Sequence, residues 1–345
     1  MGVPGDPAAE AQLTLDAAET ALDAWRILRT TCVRIDDGSA SLLEGPGADR
    51  APLWPTSQAL AAAADVAELT GDYADTLLLI DGLRAFRSGE GYAPCPGQRR
   101  RYFDDNAWIG LAQTQLHLQT GDPGYLAEAR RVFGFVATGQ EPDGGVRWRE
   151  RTSSLHTCST APAAQLALRL FLLTGDRRPL EFAHRAMGWL DRAMRLPSGL
   201  MADHIGGKRV DPTVRSYNQG SALGAFALGS RTEATDARLD DAMRIAAASL
   251  AHFVGDVLWR QPPVFNAIWF RNLLALNVVE AVPGLAEALD TYLDRVFREA
   301  RDRTTGLFTA GGIGSYDGTP AIDHAGLVQL FALRAWRPER LVDVG

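Results

Sequence analysis

The sequence predicts an all-α fold, a closed (α/α)6 barrel in which six helical hairpins form a toroid. The string Thr-Gly-Asp recurs three times, at residues 70–72, 120–122 and 174–176. Each copy lies between two stretches of helical apolar periodicity, so it predicts a tight turn in which glycine ends one helix and aspartate caps the next. A second set of glycines, out of phase with the first, predicts longer loops at the opposite ends of the hairpins, about fifty residues apart.

The predicted helices follow one another in pairs. The first three pairs are residues 59–69 with 73–87, 108–119 with 125–138, and 163–173 with 179–194. Apolar spacing alone predicts the later helices, at residues 236–254, 286–300 and 326–336. Strand-like alternation is scarce, and only a short hairpin at residues 306–310 is expected.

Length and the character of the last helix favour a closed ring. Six units of roughly 53 residues use up the chain. An open solenoid needs polar capping repeats, whereas the last predicted helix is strongly apolar. We therefore predict one domain over residues 1–345, with residues 1–12 as a flexible N-terminal segment, and a mouth where the longer loops gather.

Composition and charge exclude several classes of protein. The chain is 46% hydrophobic and carries a net charge of −7, so it is globular and has no electrostatic reason to bind nucleic acid or an anionic membrane. The three cysteines are odd in number and widely spaced, which excludes a disulfide framework and a thiolate zinc site. No signal-peptide pattern or membrane-spanning apolar run is present. We expect a cytoplasmic protein that acts as a monomer.

The densest polar cluster surrounds Asp104 and Asp105 at the start of a predicted helix. Two acidic residues at such a position are commonly explained by capping and by the helix dipole. Tyr102 and Phe103 before the pair and Trp108 after it favour a sugar-binding cleft instead, because sugar faces stack on aromatic rings. This pair is therefore the leading candidate for catalysis.

Neighbouring carboxyl groups fit one kind of glycoside hydrolysis. Residues that adjoin on a helix diverge by about 100°, so the two groups can flank one bond at about 5–5.5 Å, the separation found in retaining glycosidases. Repulsion raises the pKa of one group, while the helix start favours the ionised form of the other. One nucleophile and one general acid are therefore expected.

The segment 102–112 reads Tyr-Phe-Asp-Asp-Asn-Ala-Trp-Ile-Gly-Leu-Ala and resembles the signature of glycoside hydrolase family 76, the α-1,6-mannanases. Other segments resemble family motifs in the same order, at residues 143–148, 163–176, 217–220 and 265–271. The resemblance implies an (α/α)6 barrel and a retaining, endo-acting hydrolase of α-mannan or manno-oligosaccharides. It also implies that Asp104 is the nucleophile and Asp105 the general acid/base.

The chain departs from the family pattern in two places. Arg147 stands where the family loop has an aromatic residue, and residues 157–160, Thr-Cys-Ser-Thr, stand where the family tends to show asparagines. The substrate-binding candidates are Tyr102, Asn106, Trp108, Arg147, Trp148, Tyr217, Asn218, Gln219 and Asp323. Three of these residues also have a structural interpretation. Trp148 could belong to the core, Arg147 could be solvent-exposed, and Asp323 could cap a helix.

Other polar and aromatic residues are not assigned to the site. Trp54 is assigned to the core, and Cys158 has no recognisable base that would make it a nucleophile. His156 and His204 lie on loops of the mouth without the paired spacing of a metal site. No nucleotide-binding string occurs either, so neither a metal nor a cofactor is expected.

Two other functions suit the same toroid. A sugar epimerase would use histidine bases, but none of the six histidines is surrounded by aromatic residues as Asp104 is. A non-catalytic glycan-binding protein would keep the mouth without turnover. A hydrolase releases mannose oligomers from a linear α-1,6-mannan, whereas an epimerase and a glycan-binding protein do not.

Overall fold

The computed structural model describes residues 7–207, 209–232 and 237–342, with side chains from residue 17 onward. Its long helices form two concentric layers. The inner helices are α2 (Leu53–Thr70), α4 (Phe103–Thr120), α6 (Thr157–Thr174), α8 (Ser216–Ser230), α11 (Pro263–Val279) and α13 (Pro320–Ala335). The outer helices are α1 (Pro7–Thr31), α3 (Ala74–Gly82), α5 (Pro123–Ala137), α7 (Arg177–Trp189), α9 (Ala237–His252) and α12 (Leu285–Glu299). Two single turns, α10 (Asp256–Trp259) and α14 (Pro338–Leu341), complete the helices in the described ranges.

The inner helices close into a ring. Each packs against the next in chain order, and α13 returns to pack against α2. Five hairpins pair an inner helix with the outer helix that follows it, whereas the sixth pairs α13 with α1, the first long helix of the chain. The predicted (α/α)6 barrel is thus confirmed. Of the predicted flexible segment 1–12, residues 1–6 lie outside the described residues, and α1 begins at Pro7.

The three Thr-Gly-Asp strings form the predicted hairpin turns. Gly71, Gly121 and Gly175 follow inner helices with φ of 74°, 73° and 72°, the left-handed conformation that glycine adopts without steric cost. The Asp122 and Asp176 side chains accept hydrogen bonds from the backbone N–H two residues later and so cap the next helix. Each turn is therefore determined by local residues.

Inner and outer helices differ in how their surfaces are covered. The inner helices are buried on nearly all sides, as expected for elements with neighbours in both directions, while α7 and α12 carry one apolar stripe that faces inward. Gly220 on α8 marks a close approach of two inner helices. A Cβ atom there would lie 2.5 Å from the Cα of Trp269 on α11, so only glycine fits.

A buried polar network ties four inner helices together below the mouth. Arg271 on α11 forms an ion pair with the fully buried Asp65 on α2. The same guanidinium donates to Gln115 Oε1 on α4 at 3.2 Å and to Gln329 Oε1 on α13 at 3.0 Å. The amide of Gln115 donates in turn to Asp65 Oδ1 at 2.8 Å. The buried charges are thus paired and hydrogen-bonded, as charges in a low-dielectric interior must be.

Small antiparallel sheets form in the loops between hairpins. Within the part of the chain that the structure describes, the strands are β1 (Val33–Asp36) with β2 (Ser39–Leu42), β3 (Arg87–Ser88) with β4 (Gly91–Tyr92), and β5 (Leu155–His156) with β6 (His204–Gly206) and β7 (Arg209–Asp211). Near the hairpin expected at residues 306–310 the structure has a single bridge between Arg301 and Phe308. Within the described ranges, no helix is both long and apolar enough to cross a membrane.

Candidate active site

The mouth of the barrel is a cleft of about 830 Å³ at the N-terminal ends of the inner helices. Residues at or next to the start of every inner helix line it, namely Trp54, Asp104, Cys158, Tyr217, Phe265 and Thr319. Because helix N-termini carry partial positive charge, all six helices favour negative charge in this cleft. The closed ring therefore produces an anion-stabilising cleft at the place where the predicted carboxylate pair lies.

Asp104 is the better stabilised carboxylate of the pair. Its Oδ1 accepts the backbone N–H of Asp105 at 3.0 Å, and its Oδ2 accepts the indole N–H of Trp148 at 2.9 Å. The thiol of Cys158 lies 3.6 Å from the same Oδ2 and donates to it. Burial raises the pKa of Asp104 to about 7, and these hydrogen bonds oppose that rise because they favour the charged form.

Asp105 differs from Asp104 in the hydrogen bonds that its carboxyl group receives. Among the described residues, no hydrogen-bond donor reaches its carboxyl group. Burial and the neighbouring charge of Asp104 both raise the pKa of Asp105 well above its ordinary value. The two environments therefore separate the pKa values of the pair. Asp104 is the group that ionises first, and Asp105 is the group that keeps its proton.

A row of stacked rings forms one wall of the cleft beside the pair. The ring of Tyr102 meets that of Trp148 edge to face at 5.0 Å, and Trp148 stacks on His156 at 5.3 Å. The imidazole of His156 stacks in turn on that of His204 at 4.6 Å. Burial lowers the pKa of His156 to about 4, so this ring is neutral at pH 7.

Further aromatic rings from other hairpins line the rest of the cleft. Trp54 meets Tyr316 edge to face at 4.5 Å, and Tyr217 stacks on Phe265 at 4.1 Å. Aromatic rings from several hairpins thus line the same cleft as the carboxylates. Such surfaces suit the CH faces of a sugar ring.

Of the predicted site residues, the structure places Asp104, Asp105, Tyr102, Trp108, Trp148 and Tyr217 in the cleft. Three amides predicted to bind substrate are instead fully buried behind its wall. Asn106 bonds to the backbone N–H and C=O of Tyr92, and Gln219 bonds to those of Met201. Asn218 donates to the Asp203 carboxylate at 2.9 Å. Asn106 and Gln219 thus use both their donor and their acceptor within the protein and position the loops of the mouth, whereas Asn218 Oδ1 has no partner among the described residues.

Two charged residues predicted to bind substrate also lie outside the cleft lining. Arg147 pairs with Glu141 at 3.1 Å and packs over the ring of Phe103. Asp323 is buried, and its Oδ2 accepts hydrogen bonds from Ser315 Oγ and the backbone N–H of Tyr316, both at 2.8 Å. Asp323 thus anchors the loop that presents Tyr316 to the cleft.

The sequence interpretation missed several residues of the cleft. Trp54, assigned to the core, faces the cleft, and so does Cys158. The position of both at the start of an inner helix is a signal that identifies them once the ring is known. His204 was placed on a loop of the mouth but not assigned to the site. Asp203 and Tyr316 lie on connecting loops, and the sequence pattern gives no sign that they reach the cleft.

Comparison with protein families matches residues 36–331 to the family described as Glycosyl hydrolase family 76. No curated protein matches the chain.

Solved structures share the fold at low sequence identity. One is a family 76 glycoside hydrolase from a bovine Bacteroides thetaiotaomicron strain, with a TM-score of 0.82 and 23% identity over 93% of this chain and 77% of that one. Another is a family 76 mannosidase from Bacteroides thetaiotaomicron VPI-5482, with a TM-score of 0.81 and 19% identity over 92% and 97%. A third is an inactive variant of an α-1,6-mannanase from Salegentibacter sp. HEL1_6 in complex with α-1,6-mannotriose, with a TM-score of 0.76 and 19% identity over 92% and 99%.

Proposed function

The chain belongs to glycoside hydrolase family 76, and we propose that it hydrolyses α-1,6-linked mannosides with retention of configuration at the anomeric carbon. The observation that carries this proposal is the unequal environment of two adjacent carboxyl groups in one cleft. Asp104 receives donors that favour its ionised form, while Asp105 receives none from the described residues and lies next to a negative charge. A retaining glycosidase needs this division of roles.

In the proposed double displacement, Asp104 Oδ attacks the anomeric carbon while Asp105 gives its proton to the departing glycosidic oxygen. A covalent glycosyl ester of Asp104 forms, and the leaving saccharide departs as an alcohol. Asp105, now ionised, takes a proton from water as that water attacks the same carbon and releases Asp104. The second step regenerates both starting protonation states, so the cycle balances.

The substrate class rests on the cleft and on family membership together. Aromatic rings that line the cleft together with the carboxylates support binding of neutral sugars. A cleft of about 830 Å³ has room for more than one sugar ring, which supports action within a chain. The α-1,6-mannotriose bound to the Salegentibacter mannanase variant supports mannose and this linkage.

Hydrolysis of a linear α-1,6-mannan tests the proposal. We expect the wild-type protein to release manno-oligosaccharides and Asp104→Asn to lose about 10³-fold or more in kcat, because the nucleophile is gone. Asp105→Asn is expected to lose roughly 10²- to 10⁴-fold on mannan but far less on an aryl mannoside, whose leaving group needs no proton. Asp36→Asn, an exposed aspartate on β1, is the matched control and should keep wild-type activity.

The anomer of the first product, followed by proton NMR, tests the stereochemistry. An α product at early times supports retention, whereas a β product contradicts the two-carboxylate displacement. Binding of mannan without turnover by wild-type protein would contradict hydrolysis and favour the glycan-binding alternative. Conversion of a free sugar to its epimer without chain cleavage would favour the epimerase.

A further inference from the structure

His156, Asp203 and His204 form a compact cluster in the cleft wall, outside the catalytic pair. One ligand atom from each residue lies within 4.8 Å of the other two. The backbone fixes this arrangement, because β5 pairs with β6 so that His156 and His204 are directly opposite each other. All three residues line the cleft. Two imidazoles and a carboxylate on a shared framework are the donor set of an open zinc-type site.

The carboxylate and one imidazole already have the spacing of two ligands on one ion. Asp203 Oδ2 and His204 Nδ1 share a hydrogen bond of 3.1 Å, which an ion between them would replace. Ligands at about 2.0–2.2 Å from a tetrahedral zinc ion lie roughly 3.3–3.6 Å from each other, so an ion fits between these atoms once they move apart by a few tenths of an ångström. The side chains are half-buried, which limits competition from water while leaving one side open.

Neighbouring groups orient the cluster as outer-shell residues orient metal ligands. Asp203 Oδ1 accepts the amide N–H of Asn218 at 2.9 Å and lies 3.7 Å from Arg215 Nε, so Oδ2 is the oxygen left for an ion. In the observed ring orientation Ser154 Oγ contacts His156 Nε2 at 3.1 Å, a contact that shifts when the ring turns toward an ion. Such second partners hold a ligand's orientation and add to metal affinity.

We propose that His156, Asp203 and His204 bind one divalent transition-metal ion of the Zn²⁺ class in the wall of the cleft. Imidazole ligands favour Zn²⁺ over Ca²⁺ and Mg²⁺, which prefer oxygen. The two imidazole rings are nearly parallel, with an interplanar angle of 10°, so binding requires each to turn about its Cβ–Cγ bond until the nitrogens converge. The fourth position faces the cleft, where a water molecule or a sugar hydroxyl completes the coordination. The double displacement does not use this ion.

Calorimetric titration of tag-free, metal-stripped full-length protein with Zn²⁺ tests the site. We expect one equivalent to bind to the wild type. His156→Ala and His204→Ala should each weaken binding by more than about 100-fold, beyond the cost of removing an outer-shell partner. His252→Ala, which removes an exposed histidine on α9, is the matched control and should bind as the wild type does. Circular dichroism establishes that each variant is folded.

Titration with Co²⁺ gives an independent readout, because tetrahedral coordination by nitrogen and oxygen produces visible absorption bands. These bands should appear in the wild type and in His252→Ala and be absent from the two cleft variants. Failure of the wild type to bind an equivalent, or full binding by both cleft variants, would overturn the proposal. Since the titration contains no sugar, failure to hydrolyse mannan would count against the proposed function alone.

Discussion

At the residue scale, the pH dependence of activity follows from the buried carboxylate pair. The proposed double displacement requires Asp104 ionised and Asp105 protonated. Burial raises both pKa values, that of Asp104 to about 7, so the active combination is lost as the pH falls through that region. We expect a bell-shaped profile of kcat/KM with an acid limb near pH 7 and an alkaline limb above it, each limb belonging to the coupled pair. An acid limb near the ordinary pKa of an aspartate in mannan hydrolysis would contradict this.

Trp148 has a second role besides its place in the aromatic wall, because its indole N–H donates to Asp104 Oδ2. Trp148→Phe keeps a ring for stacking and removes this donor. A hydrogen bond to a charged group contributes about 1.5–3 kcal/mol, so we expect kcat/KM to fall about 10- to 100-fold and the acid limb to move to higher pH.

Trp54→Phe is the matched control for this pH shift. The indole N–H of Trp54 donates to none of the described residues, although the ring lines the same cleft. Its replacement should alter KM and leave the acid limb in place. Equal shifts of the limb in both variants would show that ring volume, and not the hydrogen bond, is responsible.

The sequence predicted a carboxylate pair in the mouth of the barrel because the evidence for that pair is local. Asp104 and Asp105 are neighbours at a helix start, and their aromatic context lies within a few residues. Asn106 and Gln219 were assigned to substrate by the same proximity, but local spacing does not show that an amide faces the barrel wall. Their partners, the backbone groups of Tyr92 and Met201, are set by tertiary packing.

At the element scale, the Thr-Gly-Asp turns predict how much stability is lost when their glycine is replaced. Gly121 follows α4 with φ of 73°, a conformation that costs an L-residue roughly 1–2 kcal/mol. Gly121→Ala should therefore lower the free energy of unfolding by about that amount in urea denaturation. A methyl group added at Gly134 on α5 would meet no neighbouring atom within 4 Å, so Gly134→Ala should be neutral or stabilising by up to about 1 kcal/mol. Destabilisation of both variants to the same extent would contradict the left-handed requirement.

Helices and strands differed in how far the sequence predicted them. The helices α2, α4, α6 and α7 are 13 to 18 residues long, which is long enough for a run of apolar residues to be recognised as helical. Strands of two to four residues show no such pattern. The pairing of β5 with β6 brings together residues from two separate loops, and this is why the cluster of His156 and His204 was not predicted.

At the scale of the whole molecule, the buried pair of Arg271 and Asp65 links four inner helices. Removing one member leaves the other charge buried without a partner, at a cost of about 3–5 kcal/mol. Arg271→Met should lower the free energy of unfolding by that amount. Arg26→Met, which removes an exposed ion pair with Asp23, should change it by less than about 1 kcal/mol. Similar values for the two variants would show that the network does not hold the ring.

The sixth hairpin joins α1 to α13, and His324 Nε2 contacts the carbonyl of Ala24, 300 residues away, at 2.9 Å. Contacts of such sequence separation form late, because the loop they close is entropically costly. Asp104 and Asp105 are synthesised long before the loop with Tyr316 that completes their cleft. We therefore expect the carboxylates to belong to an open arc of helices during synthesis, and the cleft to be complete only when the last inner helix docks on the first outer one.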